Sequence, residues 1–532
     1  MNKVFFLAVT ALLTFTAIGQ TSRYWIATSP GVWSNASNWS TTQNGSPAGG
    51  VPASGDIAIF HGSDKGTCTI DVNVNLNKLE TRSGFDEEII GYASTITIGS
   101  GGLKHNAGTF KSLRSAVTVG GDLTITSDFI ATTGLLVVSG DFLLDDTEHF
   151  DPAGGTVLFN AVTDNDITNN PQFFNVIFKG ADPGTSTVTA TQGFSVYQDL
   201  VIEEESGDIE FNGGTILLGG DLYPGTVWQR GSSEVALNGL GNQQLHITGT
   251  LELLDFKVEK LSGNVLCKGS LSIFGELSLN QGNILLGNSD VLTFETGSSV
   301  IGASEKSFVD GTIVKTGSID FTFPCGSNSQ YGPVKISNLS GSQDISCRYY
   351  SSSTPDQSEI DPPINFIDPC SYWTIEGTVS QTAKITFTPL DYRGCISTDN
   401  ILHYEVLANT AGAWDDLSTS NTSFELVTNA MTPTGNYSLG VTTATICQEN
   451  ALYWVGTTST SWNNALNWSK TSGGPGGYGI PCKSSTVIFD GGGNVDCDLS
   501  TNVEVAMALF RPDYTAEITT NGFQLRIKEL FK

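Results

Sequence analysis

The stretch RYWIATSPGVWSNASNWS, residues 23–40, holds three tryptophans and returns 429 residues later as LYWVGTTSTSWNNALNWS, residues 452–469. An unbroken register between two such phrases indicates an internal repeat of at least 45 residues. The repeated unit is a tryptophan-rich phrase, then a Gly/Ser-rich loop, a proline and a strand. The anchors Trp25, Trp33, Trp39, Pro52, Phe60 and Cys68 are matched by Trp454, Trp462, Trp468, Pro481, Phe489 and Cys497.

The tryptophan phrase has two interpretations. In the structural one, the large indoles form a lid that buries the open edge of a stacked β-structure, as the end of a repeat array requires. In the functional one, the rings stack on sugar faces and form a glycan platform. We favour the lid, because each phrase comes directly before a strand-rich array. The candidate platform residues are Trp25, Trp33, Trp39, Trp454, Trp462 and Trp468.

Residues 71–304 consist of short strands separated by small polar turns. GGDLTI at 120–125 is followed 19 residues later by SGDFLL at 139–144, and GGDLYP comes 80 residues after that. Both spacings suit a coil of about 20 residues, which predicts an all-β chain with a parallel β-helix, a right-handed solenoid. An antiparallel sandwich array is the alternative.

In residues 305–447 the sequence pattern changes: the predicted strands are spaced as in an Ig-like β-sandwich. The predicted organisation has five parts. They are a signal peptide (1–19), a tryptophan-rich cap module (20–70), the parallel β-helix (71–304), the sandwich (305–447), and a second tryptophan-rich cap with the start of a second β-helix (448–532).

The N-terminal segment predicts export. One lysine precedes an apolar run from Val4 to Ile18, and Ala17 and Gly19 occupy the −3 and −1 positions of a cut before Gln20. We therefore expect a secreted or outer-surface protein, and no segment is long enough to span a membrane. The formal net charge of −29 argues against nucleic acid as a partner, and leaves extracellular glycans or cell-surface proteins.

Nine cysteines fit an oxidising compartment, and the odd number leaves at least one of them without a partner in the chain. Four cysteines permit three connectivities, so the pairing stays open. The preferred bridges are Cys370 with Cys395, Cys325 with Cys347, and Cys482 with Cys497.

Four motifs carry a resemblance to a known class of proteins. DGTIVKTGSIDFTFPCG, CSYWTIEGT, AWDDL and NYSLGV are similar to a β-sandwich module of large secreted proteins from Bacteroidetes-type bacteria. The resemblance implies a cell-surface adhesin or carrier that is exported by type IX secretion and ends in a C-terminal sorting domain. Only 22 residues follow Phe510 and no sorting domain is readable, which leaves open that the chain is a fragment.

No catalytic motif is present in the sequence, and we expect no cofactor. The segment Asp164-Asn165-Asp166 resembles half of a calcium-binding loop, so Ca²⁺ is retained as a candidate ligand with Asp164 and Asp166 as its site. His149 has three acidic residues close in sequence, Asp145, Asp146 and Asp151, and forms the densest titratable cluster. Solvated turns and strand edges explain such clusters more simply.

The sequence therefore predicts a secreted or cell-surface structural protein that functions in adhesion and contacts glycans. Two alternatives belong to other classes. One is a polysaccharide-degrading enzyme, a lyase or glycoside hydrolase, on the β-helix; a groove lined by carboxylates and basic residues would identify it. The other is a carbohydrate-binding module, which exposed and coplanar tryptophans would identify. We favour a role without catalysis.

Overall fold

The computed structural model describes residues 20–181, 184–203, 207–354, 366–368, 370–377, 381–388, 404–409, 414–417, 420–421, 425–441, 447–448, 451–457, 459–476, 478–500 and 502–530. It is all-β, with 52% strand and 2% helix, and contains a β-solenoid of about 19 turns. The predicted parallel β-helix is thereby confirmed. The predicted signal peptide and Cys395 lie outside the described residues. The chain divides into two compact units, Met1–Leu218 with Val227–Gln229, and Gly219–Thr226 with Arg230–Lys532.

The coils form because short alternating segments stack in parallel register. Leu123 and Ile125 are buried while Thr124 between them is less so, and this strand pairs with Phe142–Leu144 from the next coil. The 19-residue spacing seen in the sequence is therefore one coil. The turns bring backbones very close together: a Cβ on Gly102, whose φ is +76°, would lie 2.5 Å from the Asp122 carbonyl oxygen. Glycine is required there.

Stacked aromatic rings fill the interior of the first unit. The rings of Phe110 and Phe129 are parallel within 3°, with centroids 5.0 Å apart, and Phe159 stacks on Phe178 at 4.9 Å. Each of these side chains is buried. Because equivalent inward positions recur once per coil and are apolar each time, they build a continuous core along the stacked coils.

The strands of the first unit belong to five parallel stacks. The first stack is Phe142–Leu144, Leu123–Ile125, Leu103–His105, Lys78–Thr81, Ile57–Phe60, Ser22–Trp25 and the antiparallel Trp39–Ser40; the second is Phe150–Asp151, Phe129–Ile130, Thr109–Lys111, Glu88–Gly91, Cys68–Ile70 and Gly31–Val32. The third is Val74–Leu76, Thr95–Ile98, Ala116–Val119, Leu135–Val138, Thr156–Val162, Asn175–Gly180 and Leu200–Ile202. The fourth stack is Asp164–Asp166, Thr185–Ala190, Asp208–Gly213 and Trp228–Gln229. The fifth is Gln172–Phe173, Phe194–Val196 and Ile216–Leu218.

Further coils begin the second unit, and an asparagine ladder ties three of their turns together. The Oδ1 of Asn242 accepts from the amide of Asn264, whose Oδ1 accepts from the amide of Asn283. These hydrogen bonds supply acceptors for turn amides that have no partner in the hydrogen-bond ladders between the strands. The coil strands are Leu222–Gly225, Val235–Leu237, Gln243–Leu253, Phe256–Glu259, Val265–Ile273, Glu276–Gln281, Ile284–Leu286, Val291–Phe294, Ser299–Ile301, Val309–Asp310 and Thr312–Gly317.

Antiparallel strands follow the coils of the second unit. Trp373 contacts Phe387 at a ring distance of 4.9 Å, and Phe387 lies 6.0 Å from Tyr437, so side chains of two sheets share one core. One sheet contains Gln343–Tyr350, Phe366–Ile367, Tyr372–Glu376, Tyr404–Asn409, Trp414–Asp416 and Thr434–Val441; the other contains Phe321–Phe323, Val334–Ser337, Lys384–Phe387, Ser420–Asn421 and Leu426–Val427. A small hairpin joins Gly326–Ser327 to Gln330–Tyr331.

The second unit closes with a return to parallel pairing. Its strands are Cys447–Gln448, Ala451–Trp454, Trp468–Ser469, Ile480–Pro481, Thr486–Phe489, Cys497–Asp498, Val503–Phe510, Ile518–Thr519 and Leu525–Leu530. The described residues include the short 3₁₀ helices Ala36–Asn38, Thr147–His149, Ala465–Asn467 and Gly491–Gly493. Among the described residues, no helix has the length and apolar character needed to cross a membrane.

Candidate functional site

The tryptophans of the first repeat, which we define as residues 22–98, form one compact aromatic cluster. Trp39 meets both Trp25 and Trp33 edge to face, at ring distances of 5.2 and 4.7 Å. The indole N–H of Trp25 donates to the Gly66 carbonyl at 2.8 Å, and that of Trp39 donates to the Trp33 carbonyl at 2.9 Å. All three indoles thus bury their apolar faces, and Trp25 and Trp39 satisfy their single donors.

The second repeat, residues 451–527, reproduces this cluster at an offset of 429 positions. Trp468 meets Trp454 and Trp462 at 5.1 and 4.9 Å. The Trp454 N–H donates to the Val495 carbonyl, and the Trp468 N–H to the Trp462 carbonyl, both at 2.8 Å. The same ring angles and donor partners in both repeats show that the repeated sequence encodes a repeated structure.

Burial of these six side chains contradicts the predicted glycan platform. None of the six tryptophans is more than 1% exposed, and the rings pack edge to face rather than coplanar. A sugar cannot stack on a ring whose two faces already contact other side chains. The platform prediction for Trp25, Trp33, Trp39, Trp454, Trp462 and Trp468 is therefore wrong, because core packing takes the faces that a sugar would need.

Both clusters lie where the strand direction changes. Trp39–Ser40 pairs antiparallel with Ser22–Trp25, which in turn pairs parallel with Ile57–Phe60. In the order of that sheet, the antiparallel strand comes last. The second repeat has the same arrangement, with Trp468–Ser469 antiparallel to Ala451–Trp454 at the end of its sheet.

An open cavity of about 310 Å³ lies on the turns of the first unit and is polar in its lining. It coincides with the acidic cluster around His149 that the sequence singles out. The lining residues are Asp145, Asp146, Thr147, Asn169, Asn170 and Gln192.

Local turn chemistry positions the lining side chains. Asp146 caps the short helix Thr147–His149, its Oδ1 accepting from the Glu148 amide at 3.0 Å. Asn169 and Asn170 both adopt the left-handed conformation, with φ of 58° and 47°, which asparagine tolerates better than most residues. This turn sets two carboxamides beside the carboxylates of the preceding coil.

Hydrogen bonds hold three successive turns together beneath the cavity. The side-chain amide of Asn169 donates to the Leu144 and Asp145 carbonyls, at 2.6 and 3.0 Å, and its backbone amide donates to Gln192 Oε1 at 2.7 Å. The floor of the cavity is therefore preorganised by backbone contacts. Preorganised polar groups bind a ligand at a lower entropic cost than mobile ones.

His149 lies beside the cavity and contacts one of its lining residues, Asp145. Its Nδ1 lies 2.8 Å from Asp145 Oδ1, and this hydrogen bond, opposed by partial desolvation, raises the pKa of His149 above its ordinary value of 6.5. Both side chains remain partly open to solvent, at 33% and 47% exposure. Such a screened pair orients the Asp145 carboxylate and contributes little to stability.

The cavity can both accept and donate hydrogen bonds. Carboxylates, carboxamides and a threonine hydroxyl are the groups that bind sugar hydroxyls. No lysine or arginine is among its lining residues and two of the six are acidic, so a neutral sugar would meet less charge repulsion there than a uronate or a sulfate. The sequence missed Thr147, Asn169, Asn170 and Gln192; only the Asn-Asn-Pro turn at 169–171 signalled a special conformation.

The candidate calcium residues lie elsewhere, on the strand Asp164–Asp166. Both carboxylates are exposed on one face of it, with Asn165 buried between them. The amide of Asp166 donates to Asp141 Oδ1 at 3.0 Å, so a turn carboxylate there has a structural role. Among the described residues, no group of three or more histidine, cysteine or acidic side chains is arranged to hold a metal ion. The calcium site thus has no ligand set in that part of the chain.

Two of the predicted disulfides are wrong in this structure. Cys325 and Cys347 are buried free thiols whose Sγ atoms lie 3.9 Å apart, so they touch without bonding. Cys497 is also a buried free thiol, whereas Cys482 is disulfide-bonded, which excludes a bridge between them. Cys370 is disulfide-bonded as well, and its predicted partner Cys395 lies outside the described residues.

Comparisons with protein-family models, with curated proteins and with solved structures gave no match to this chain.

Proposed function

We propose that this chain is a secreted or cell-surface structural protein that functions in adhesion and contacts neutral glycans through the cavity at Asp145–Thr147, Asn169, Asn170 and Gln192. A β-solenoid fold is compatible with such a role. One observation carries the glycan contact: carboxylates and carboxamides from three successive turns converge on one open cavity. The acidic charge of the chain favours uncharged sugars over uronates and sulfated glycans.

The finer architecture belongs to the same proposal. The tryptophan clusters act as caps, since each one stands where an antiparallel strand ends a parallel sheet. The antiparallel strands around Trp373 and Tyr437 form an Ig-like sandwich, which the shared core of their two sheets supports. The N-terminal segment acts as a signal peptide, and the similarity of four motifs to Bacteroidetes-type surface proteins supports export by type IX secretion.

Affinity electrophoresis tests the glycan contact. The full chain is run through gels that contain neutral polysaccharides (xylan, mannan, β-glucan) or anionic ones (pectate, alginate). We expect retardation by at least one neutral glycan and by neither anionic one. The Asp145→Ala variant should lose most of the retardation, because it removes an acceptor from the cavity and the partner that orients His149.

Asp164→Ala is the matched control, since it also removes one exposed carboxylate from the first unit, away from the cavity lining. Equal retardation of the wild type and Asp145→Ala would refute the cavity as the site. Retardation only by anionic glycans would refute the neutral ligand. Shortening of any polysaccharide during incubation, measured as new reducing ends or unsaturated products, would replace adhesion by an enzymatic function.

A further inference from the structure

Lys260 is a buried lysine in the coils of the second unit. Its exposure is 1%, although a lysine is almost never fully buried without partners for its charge. It directly follows the strand Phe256–Glu259, and its backbone amide donates to the Gln281 carbonyl at 2.9 Å. The coil therefore fixes the position of this side chain inside the molecule.

Lys315, a second buried lysine of the same unit, shows how the fold satisfies such a cation. Its Nζ donates to the carbonyls of Glu295 and Ser298, at 2.7 and 3.0 Å, and to Ser298 Oγ at 3.1 Å. Each N–H group of that ammonium thus has an acceptor. Among the described residues, the Nζ of Lys260 has one acceptor, the carboxamide oxygen of Gln243.

Burial with a single acceptor favours the neutral amine of Lys260. Desolvation is the main cause that lowers the pKa of Lys260 from its ordinary value of 10.5 to about 8, and the charge of Asp221 opposes it. A substantial fraction of the side chain is therefore neutral in mildly alkaline solution. The neutral amine is the form that attacks a carbonyl carbon.

The Gln243 carboxamide is held in a position to be attacked. Its Oε1 accepts a hydrogen bond from the Gly239 amide at 2.8 Å, in addition to the one from Lys260. Its Nε2 donates to the Gly220 carbonyl at 2.5 Å, which fixes the plane of the carboxamide. When a nitrogen adds to Cδ, negative charge develops on Oε1, and the Gly239 amide is placed to stabilise it.

Two glycines make room for the pair. A Cβ on Gly239 would lie 2.8 Å from Gln243 Cδ, and a Cβ on Gly282 would lie 2.6 Å from Lys260 Cγ. The backbone therefore packs directly against both side chains and holds them in contact. Such positioning replaces the entropy that a reaction between two free groups would lose.

We propose that Lys260 and Gln243 form an intramolecular isopeptide bond that joins two successive coils of the solenoid. The Lys260 Nζ bonds to the Gln243 Cδ, the bond from Cδ to Nε2 breaks, and Nε2 leaves as ammonia with a proton from Nζ. Because Gln243 pairs with Val265 of the next coil, the bond links adjacent coils covalently. This proposal does not depend on the glycan contact, because these residues and the cavity belong to different units.

Peptide mass mapping of the full chain tests the bond. The folded chain is kept at pH 8, unfolded and digested with trypsin, which does not cut after a lysine whose amine has become an amide. We expect a branched product in which residues 231–257 are joined to residues 258–268. Its mass should be one ammonia below the sum of the two peptides, and fragmentation should place the branch at Gln243.

Gln243→Leu should abolish the branched product. Gln244→Leu is the matched control, since it removes the adjacent glutamine and should leave the product unchanged. The wild-type digest decides the question even if Gln243→Leu does not fold. Complete cleavage after Lys260 in the wild type would overturn the proposal. A branch at a residue other than Gln243, or a branched product that persists in Gln243→Leu, would overturn it too.

Discussion

In the first repeat the Asp56 carboxylate accepts hydrogen bonds from Arg23 at 3.3 Å and from the Ala53 amide at 3.0 Å. In the second repeat the positions of Arg23 and Asp56 hold Leu452 and Ser485. Ser485 Oγ still accepts from the backbone amide of Cys482, at 2.7 Å. The second repeat thus keeps the hydrogen bond from the turn amide to a side-chain oxygen but lacks the ion pair.

This difference separates two kinds of contact in the repeats. Ring distances and indole donor partners agree closely between them, so the aromatic core defines the repeated structure. The polar contacts at the rim vary between the repeats, since several kinds of side chain can satisfy the same turn amide. The comparison predicts equal effects for core substitutions and unequal ones for rim substitutions.

The largest expected effect comes from Trp33→Ala and Trp462→Ala. Each leaves a large cavity in a fully buried cluster, so each should lower the stability of its own repeat by about 3–5 kcal/mol. Hydrogen exchange of Ile57–Phe60 and Thr486–Phe489 in denaturant reports the two repeats separately. Val32→Ala and Leu466→Ala, at exposed positions next to each cluster, are the controls and should change stability by no more than about 0.5 kcal/mol. Markedly unequal losses would show that the two cores are not equivalent.

A smaller effect is expected at the rim of the first repeat. Asp56→Ser should cost about 1–3 kcal/mol, because it leaves Arg23 without its carboxylate. In a chain that already carries Arg23→Leu, the same change reproduces the second repeat and should cost less. A double-mutant cycle measured by denaturant unfolding gives the coupling, which we expect near 1 kcal/mol. Full additivity would mean that the ion pair is worth nothing and that the turn bond alone matters.

The sequence predicts the repeated and periodic features well and the three-dimensional neighbourhoods poorly. The tryptophan register and the 19-residue coil are periodic, so spacing alone reveals them. Spacing does not reveal whether the tryptophans are buried, since a glycan platform and a core use the same residue type. The cavity escaped prediction because Asp145, Asn169 and Gln192 meet only through coil stacking. The cysteine pairing could not be predicted either, because closeness in sequence does not fix closeness in space. Cys497 is close to Cys482 in sequence but lies in the core.

Asp71 should give the first repeat a pH dependence that the second lacks. Partial desolvation raises its pKa, but hydrogen bonds from the Ser34 hydroxyl and amide outweigh this and hold it below the ordinary value of 3.8. A lowered pKa adds stability above the unfolded value, and that stability is lost as the pH falls through the folded value. Ser500, which does not titrate, occupies the equivalent position and accepts from Asn463 at 3.1 Å.

The measurement for Asp71 is the difference in unfolding midpoint between wild type and Asp71→Ser, from pH 6 down to pH 2.5. The wild type should be slightly more stable above about pH 4, and the difference should shrink to nothing below it. The effect is small because the carboxylate is largely exposed. A difference that stays constant across this range would show that Asp71 acts through packing. Ser500→Ala in the second repeat is the control, and its effect should not change with pH.

The smallest difference between the repeats is expected at the equivalent free cysteines Cys68 and Cys497. Their reactivity can be compared in the unmodified chain, without substitutions. Burial is the main cause that raises the pKa of each thiol above its ordinary value of 9.0, so neither should react with iodoacetamide in the folded chain at pH 8. After unfolding without reductant, both should be alkylated to completion while Cys482 stays protected by its disulfide. Peptide mass mapping distinguishes these states. Alkylation of Cys482 together with protection of Cys497 would mean that Cys497, and not Cys482, forms the disulfide. The two repeats would then differ in their cores as well as at their rims.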